Sequence, residues 1–395
     1  MRWLNWSRVA LPEDWEHGGF GLYIHWPFCQ AKCPYCDFNS HVVATIDQRA
    51  WQAAYLSEID RIGAQTKGRV LRSVFFGGGT PSMMDPGLVD AVLTKVRATW
   101  PMANDIEVTL EANPTSVEAG RFAGYRDAGV NRISIGIQAF NDADLKTLGR
   151  LHTASEAFAA FDIARDTFNR VSFDLIYARQ GQTVQAWQDE LDQALSMAID
   201  HLSLYQLTIE DGTAFGDRYA KGKLRGLPDD DAAADMYTLT QDVCEAADFG
   251  GYEVSNHAKP GRESIHNRIY WRYGDYAGIG PGAHGRLTLN GQRFATEAPL
   301  APAVWLAQVN KAGSGETGRV SLSADDQIAE FLLMGMRLKE GVSLDRLKQL
   351  GGADIFIKIN DLRDIGMVNS ADGRLCVTEA GRPLLNAVLR RLLED

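Results

Sequence analysis

The chain has 395 residues, 45% of them hydrophobic and 23% charged, an ordinary balance for a globular protein with room for one large domain and a smaller one. Its formal net charge of −11 argues against nucleic acid as a partner, because such binders need a basic face to displace counterions from phosphates. No apolar run approaches the ~20 residues of a membrane-spanning helix, so a cytoplasmic protein is expected.

Residues 1–20 carry Trp3, Trp6 and Trp15 among acids and lack the continuous apolar segment of a signal peptide, and they read as an N-terminal extension. From Gly21 to about Glu210, six apolar or β-branched runs alternate with helix-like stretches: Leu22–His25, Val70–Phe76, Ile106–Leu110, Arg132–Ile137, Val171–Ile176 and Leu202–Ile209. Gln48–Ile62, Gly87–Thr99, Val117–Ala128, Ser155–Thr167 and Val184–Met197 read as the helices between them. This rhythm predicts parallel strands joined by right-handed crossovers, an α/β fold of the partial (β/α)6 TIM-barrel type over residues 21–225. Several runs are apolar along most of their length, as strands covered on both faces would be.

The loop after the first strand holds three of the five cysteines, Cys29, Cys33 and Cys36, in C-x3-C-x2-C spacing. Three clustered thiols and an odd total fit a reducing compartment and metal chemistry better than a disulfide frame, while Cys244 and Cys376 stand alone as core thiols. Zinc knuckles pair one C-x2-C with a second Cys or His pair, which is absent here. Three thiolates instead leave one iron of a four-iron cluster without a protein ligand.

Polar residues gather where the other strands end. Gly77-Gly78-Gly79-Thr80 follows the second strand, Glu111 ends the third, Gln138 ends the fourth and Asp174 lies late in the fifth. In a parallel barrel these ends share one face, where such folds place their chemistry. Six units leave an open side, wide enough for a large flat substrate.

After Asp211 the rhythm stops. Asp230–Ala247 reads as a helix, and residues 226–322 as a connecting region rich in aromatics and glycine, with His266 opening the run His266-Asn267-Arg268-Ile269-Tyr270-Trp271. Residues 323–395 read as a helical, winged-helix-like domain with a two-stranded wing at Met367–Val377. Its slight acidic excess favours packing or covering over binding DNA.

The Cys29–Cys33–Cys36 triad behind Tyr-Ile-His, with a glycine run one β/α unit later, resembles radical S-adenosylmethionine (SAM) proteins. The resemblance extends from Gly21 to the C-terminus and points to the anaerobic coproporphyrinogen-dehydrogenase-like group, most closely to its heme-chaperone branch. It implies a [4Fe–4S] cluster on the three cysteines, with SAM on the open iron. By the same resemblance SAM would be held by Tyr23, Gly78, Gly79, Thr80, Glu111, Gln138, Arg150 and Asp174. The dehydrogenase carries a further cysteine two residues after the third, where this chain has Phe38. The resemblance therefore implies heme binding and transfer to apo-proteins, among them membrane-associated respiratory enzymes, with an electron donor for the cluster. The alternative it implies is oxidative decarboxylation of coproporphyrinogen III through a 5′-deoxyadenosyl radical. His266 would ligate heme, with His25, His257 and His284 as competitors, and an unperturbed imidazole would lose heme as pH falls through about 6.5.

Overall fold

The computed structural model describes residues 13–394. Most of the expected N-terminal extension, residues 1–12, lies outside them, and the described remainder turns once at Asp14–His17 before entering the first strand.

All six expected runs form strands: β1 (Phe20–Trp26), β2 (Leu71–Gly78), β3 (Met102–Ala112), β4 (Arg132–Gln138), β5 (Arg170–Tyr177) and β6 (His201–Gln206). They pair in that order, each parallel to the next, because helices carry the chain back between them. The intervening helices include α1 (Gln48–Gln65), α2 (Pro86–Thr99), α3 (Phe122–Ala128), α4 (Ala154–Thr167) and α5 (Val184–Met197). The expected helix Val117–Ala128 is split into Ser116–Ala119 and α3. All five labelled helices end with a backbone N–H donated to the carbonyl of the fourth residue before it, and α4 begins with a full capping box at Thr153 and Glu156.

The stretch read as a connection instead completes the sheet. After the helix α6 (Asp230–Ala246), β7 (Gly250–Gly251) and β8 (Asn256–Ala258) extend it antiparallel beyond β6. The short helix α7 (Ile265–Trp271) then leads to β9 (Asp275–Ile279), which pairs parallel with β1, and β10 (His284–Leu289), β11 (Gln292–Glu297) and β12 (Gly318–Ser321) follow antiparallel. The twelve strands lie in the order β12-β11-β10-β9-β1-β2-β3-β4-β5-β6-β8-β7.

A second difference concerns the two faces of the sheet. Leu22, Ile24, Val74, Phe76, Val108, Leu110, Ile133, Ile135, Phe173 and Leu175 are fully or nearly fully buried in the main core. On β3 to β6 the residues between them are polar: Glu107, Thr109, Arg132, Ser134, Ser172, Asp174, His201 and Ser203 face one another across the concave side. These strands therefore alternate, and the expected two-sided apolar burial does not hold for them. Glu107 is central to this interior, meeting Arg170 at 2.8 Å and Arg132 at 3.9 Å and accepting from the Ser264 hydroxyl and the His266 amide, both at 3.1 Å. It thereby fixes the start of α7 against the barrel.

The C-terminal module packs on its own core of Phe331, Leu332, Leu347, Leu375, Val388 and Leu389. Its helices are α8 (Ala324–Gly335), α9 (Leu344–Gln349), α10 (Ile355–Asp364) and α11 (Leu385–Leu393). The wing has three strands where two were expected, since Val342–Ser343 pairs with Arg374–Val377 beside Val368–Ala371. Ion pairs fasten the module to the barrel: Arg346 grips Asp14 at 2.6 Å, Arg272 reaches Glu340 at 2.6 Å and Arg286 reaches Glu330 at 2.7 Å.

Candidate functional site

The strand ends open into a cavity of about 850 Å³. Cys29, Cys33 and Cys36 line it together with Gly78, Gly79, Thr80, Glu111, Gln138, Arg150 and Asp174, so segments 145 residues apart in sequence meet at one place.

The cysteine loop is held by its neighbours. The N–H groups of Gly79 and Thr80 donate to the carbonyls of Trp26 and Phe28 at 2.7 and 2.8 Å, tying the glycine run to the residues just before Cys29. The Thr80 hydroxyl donates to Cys29 Sγ at 3.3 Å and Arg150 Nη1 to Cys33 Sγ at 3.6 Å. Gly149, at φ +70°, lies so close to the loop that a Cβ there would come within 2.6 Å of Pro34. Burial, with repulsion from the other thiols, raises the Cys29 and Cys36 thiols, so a cationic group is needed to hold them as thiolates. Among the described residues no three His, Cys, Asp or Glu side chains close on a single point as one metal ion would require. A cluster with one thiolate per iron spaces its ligands more widely, and three half-exposed sulfurs along one cavity wall fit that donor set.

The opposite wall is acidic. Glu111 accepts from the Gly78 amide at 3.3 Å, and burial, then the Asp174 carboxylate, push its carboxyl up to about 8. Burial pushes Asp174 to about 6, opposed by hydrogen bonds from Ser203 and Ser134 and by Arg132. Two desolvated carboxyl groups side by side favour a cationic guest, such as one carrying a sulfonium and an ammonium group. Because the Gly79 and Thr80 amides are already engaged, an ammonium would be met here by acceptors. Gly78 adopts φ +108°, and a Cβ there would strike the His25 ring at 2.5 Å, so this glycine serves packing against β1.

Gln138 ends β4 at φ +75° after an irregularity in the pairing, a strained conformation for a non-glycine residue that turns the chain into the cavity rim. Arg150 Nη2 donates to Asn113 Oδ1 at 2.6 Å and to the Gly136 carbonyl at 2.8 Å, while its buried Nε has no protein partner. Asn113 also donates to Thr80 Oγ1 at 3.1 Å. It thus links Arg150 to the glycine run, a role that its place two residues after Glu111 at a strand end could have signalled.

Two expected residues lie elsewhere. Tyr23 does not line the cavity: its hydroxyl is 2.9 Å from His25 Nδ1, and its ring lies beside the stacked Phe75 and His266 rings, 6.3 and 6.1 Å from them. His266 lines a second cavity of about 300 Å³, which shares Glu111, Ser134, Asp174, Tyr205, Ser255 and Arg337 with the first. The His266 ring stacks on Phe75 at 4.5 Å, its Nδ1 is 3.3 Å from Ser73 Oγ, and burial lowers its pKa to about 4. Of the competitors, His257 is fully buried, His25 is also bonded to the Asn39 carbonyl, and His284 is exposed outside both cavities. Cys244 is buried in the core, and Cys376 contacts the Glu340 carbonyl in the C-terminal module. Sequence reasoning missed Arg337 and Arg382, which the C-terminal module contributes to the larger cavity.

Comparison with known proteins follows the same division of the chain. The radical SAM superfamily model matches residues 23–194, and the HemN C-terminal domain model matches residues 322–384. The heme chaperone HemW of Escherichia coli (strain K12) is 37% identical, covering 95% of this chain and 98% of the relative. The mitochondrial radical S-adenosyl methionine domain-containing protein 1 of Mus musculus is 42% identical over 83% of this chain and 75% of the relative. Among solved structures, coproporphyrinogen III oxidase (HemN) from Escherichia coli, a radical SAM enzyme, superposes with a TM-score of 0.78 at 22% identity, covering 95% of this chain and 90% of the other. At that identity the superposition speaks for the fold.

Proposed function

The chain belongs to the radical SAM family, in the group that contains HemW and HemN, and on that premise we propose that it is a heme chaperone that binds heme and passes it to apo-heme proteins. The observation that carries this reading is the near end-to-end similarity to proteins named heme chaperone HemW, at 36–37% identity over 95% of the chain in Escherichia coli and Haemophilus influenzae. Coproporphyrinogen dehydrogenation is less well supported, since the similarity to HemN at 22% identity reaches only the fold and Phe38 stands where the dehydrogenase has its further cysteine.

On this reading Cys29, Cys33 and Cys36 hold a [4Fe–4S] cluster, which supplies one-electron chemistry when SAM occupies its open iron. Thr80 and Arg150, already bonded to two of the sulfurs, hold the thiolates in place. Glu111 and Asp174 supply the negative wall for the cationic end of SAM, and Gln138 and the Gly78–Gly79 run complete its surroundings. His266 offers heme its Nε2, because Nδ1 faces Ser73 and the lowered pKa keeps the ring unprotonated near neutrality. The 300 Å³ around it is at the lower bound of small-molecule pockets, so ligation there requires α7 to shift outward. The acceptors are apo-heme proteins, respiratory membrane enzymes among them, and the protein works in the cytoplasm with a separate electron donor. No helix among the described residues is long and apolar enough to cross a membrane.

The test is anaerobic reconstitution with iron and sulfide, followed by parallel incubation with SAM plus heme and with SAM plus coproporphyrinogen III. Stable heme uptake without protoporphyrinogen IX is expected. Protoporphyrinogen IX formation would establish the dehydrogenase instead.

A further inference from the structure

The cavity that receives the cysteines has a second, oppositely charged corner. Arg337, just past α8, and Arg382, just before α11, bring two guanidinium groups from the C-terminal module into the wall facing the barrel. They are neighbours, since Arg382 Nη1 donates to the Arg337 carbonyl at 2.5 Å. Little neutralises them. One carboxylate faces them: Arg337 Nη2 reaches Glu253 Oε2 at 3.4 Å, while Oε1 of the same carboxylate accepts from the Ser255 amide and Asn256 Nδ2 at 2.6 and 2.7 Å. Arg337 Nε is buried without a partner while the group lies 4.7 Å over the Trp271 ring. Among the described residues Arg382 bonds only backbone carbonyls, of Met336 and Arg337, through Nη1. Two guanidinium groups with a single carboxylate between them leave a surplus positive charge in a partly desolvated wall, and an anion between them would remove that cost.

We propose that Arg337 and Arg382 form a carboxylate-binding corner that holds the propionate side chains of a tetrapyrrole, an inference that rests on the heme reading above. Arg337 lines both cavities. A macrocycle anchored there by its carboxylates extends toward His266 on one side and the cysteine loop on the other. The planar fork of each guanidinium suits a carboxylate better than a lysine ammonium would. SAM also carries a carboxylate, but Arg150 is the cation beside the cysteine loop, whereas Arg337 and Arg382 come from the C-terminal module.

The test measures binding of heme and of heme dimethyl ester to the cluster-loaded full chain, alongside SAM affinity. Wild-type protein should bind heme on the order of tenfold more tightly than the ester. Arg382→Gln should weaken heme binding by a similar factor while leaving ester and SAM affinities unchanged, and Arg382→Lys should recover only part of the loss. Equal affinity of the wild-type chain for heme and ester overturns the corner while leaving the chaperone reading intact, and that arm needs no variant to fold. A loss of SAM affinity in Arg382→Gln assigns the corner to SAM and overturns the tetrapyrrole assignment. If the wild-type chain binds neither heme nor ester, the heme reading fails and the corner with it.

Discussion

Replacing Glu111 by Gln should make the ligand-free protein more stable and a poorer SAM binder at the same time. Burial, then Asp174, push this carboxyl up to about 8, against 4.5 for a free glutamate. Between those values the folded chain holds one more proton than the unfolded chain, so stability falls as pH rises through that window. At pH 7 the carboxyl is ~2.5 pH units above its unfolded titration, which at 1.36 kcal/mol per unit costs the fold about 3 kcal/mol. Glutamine carries no such cost. Glu111→Gln should therefore gain up to about 3 kcal/mol at pH 7 and nothing near pH 4.5, read by anaerobic denaturant unfolding at both pH values. The same change removes a carboxyl group that a bound cation would draw into its ionised form, and SAM affinity of the cluster-loaded variant should drop about tenfold in equilibrium dialysis. The ligand's own amino group titrates near 7.7–8.0, and the variant's pH profile supplies that contribution alone. A variant no more stable than its parent at pH 7, or one that binds SAM equally well, would refute this account of the acidic wall.

Alanine at Cys29, Cys33 or Cys36 should abolish iron–sulfur absorption after reconstitution, whereas Cys244→Ala and Cys376→Ala should retain it; a full cluster in Cys33→Ala would reject the triad. Because burial lowers His266 to about 4, heme affinity should stay flat from pH 8 to 5 and weaken only toward pH 4, as followed in the heme absorption spectrum. Loss centred near 6.5 would point to a different histidine. Arg346→Ala should cost about 2 kcal/mol, because the Arg272 carbonyl loses its side-chain donor while Asp14 and the Tyr273 carbonyl keep only Arg293. Hydrogen exchange should then rise across residues 323–394 before the barrel, and unchanged protection would show that the module is held by other contacts.

The barrel strands and the cavity wall were legible because strand–helix alternation fixes which residues sit at one end of a parallel sheet. Gly78, Gly79, Thr80, Glu111, Gln138, Arg150 and Asp174 all reach the cavity from such ends or the loops beyond them. The polar interior was equally present in the sequence, as the strict alternation of Arg-Ile-Ser-Ile-Gly-Ile-Gln at 132–138 and His-Leu-Ser-Leu-Tyr-Gln at 201–206. In these runs every second residue is apolar and packs into the outer core while the polar residues between them face the barrel interior, so the signal they carry is alternation. Tyr23 illustrates the limit in the other direction. Its position before the cysteines matched a cofactor contact, yet an odd-numbered residue of β1 points into the barrel, where His25, Phe75 and His266 claim it. Strands β7 to β12 were obscured because they are six residues or shorter and are separated by glycine-rich turns, so each carries too little pattern to separate from loops. Arg337 and Arg382 could not be read at all, since nothing local marks a residue of one module as facing a cavity in another.

The central claim is heme delivery, and the most direct measurement is transfer itself. The cluster-loaded, heme-loaded chain should be mixed with an excess of an apo-heme protein, and the acceptor's heme absorption and activity followed after separation. Heme should move to the acceptor in stoichiometric amount, while a His266→Ala preparation delivers markedly less. Heme that stays with the wild-type chain, or that reaches the acceptor no faster than free heme does, would contradict the chaperone account.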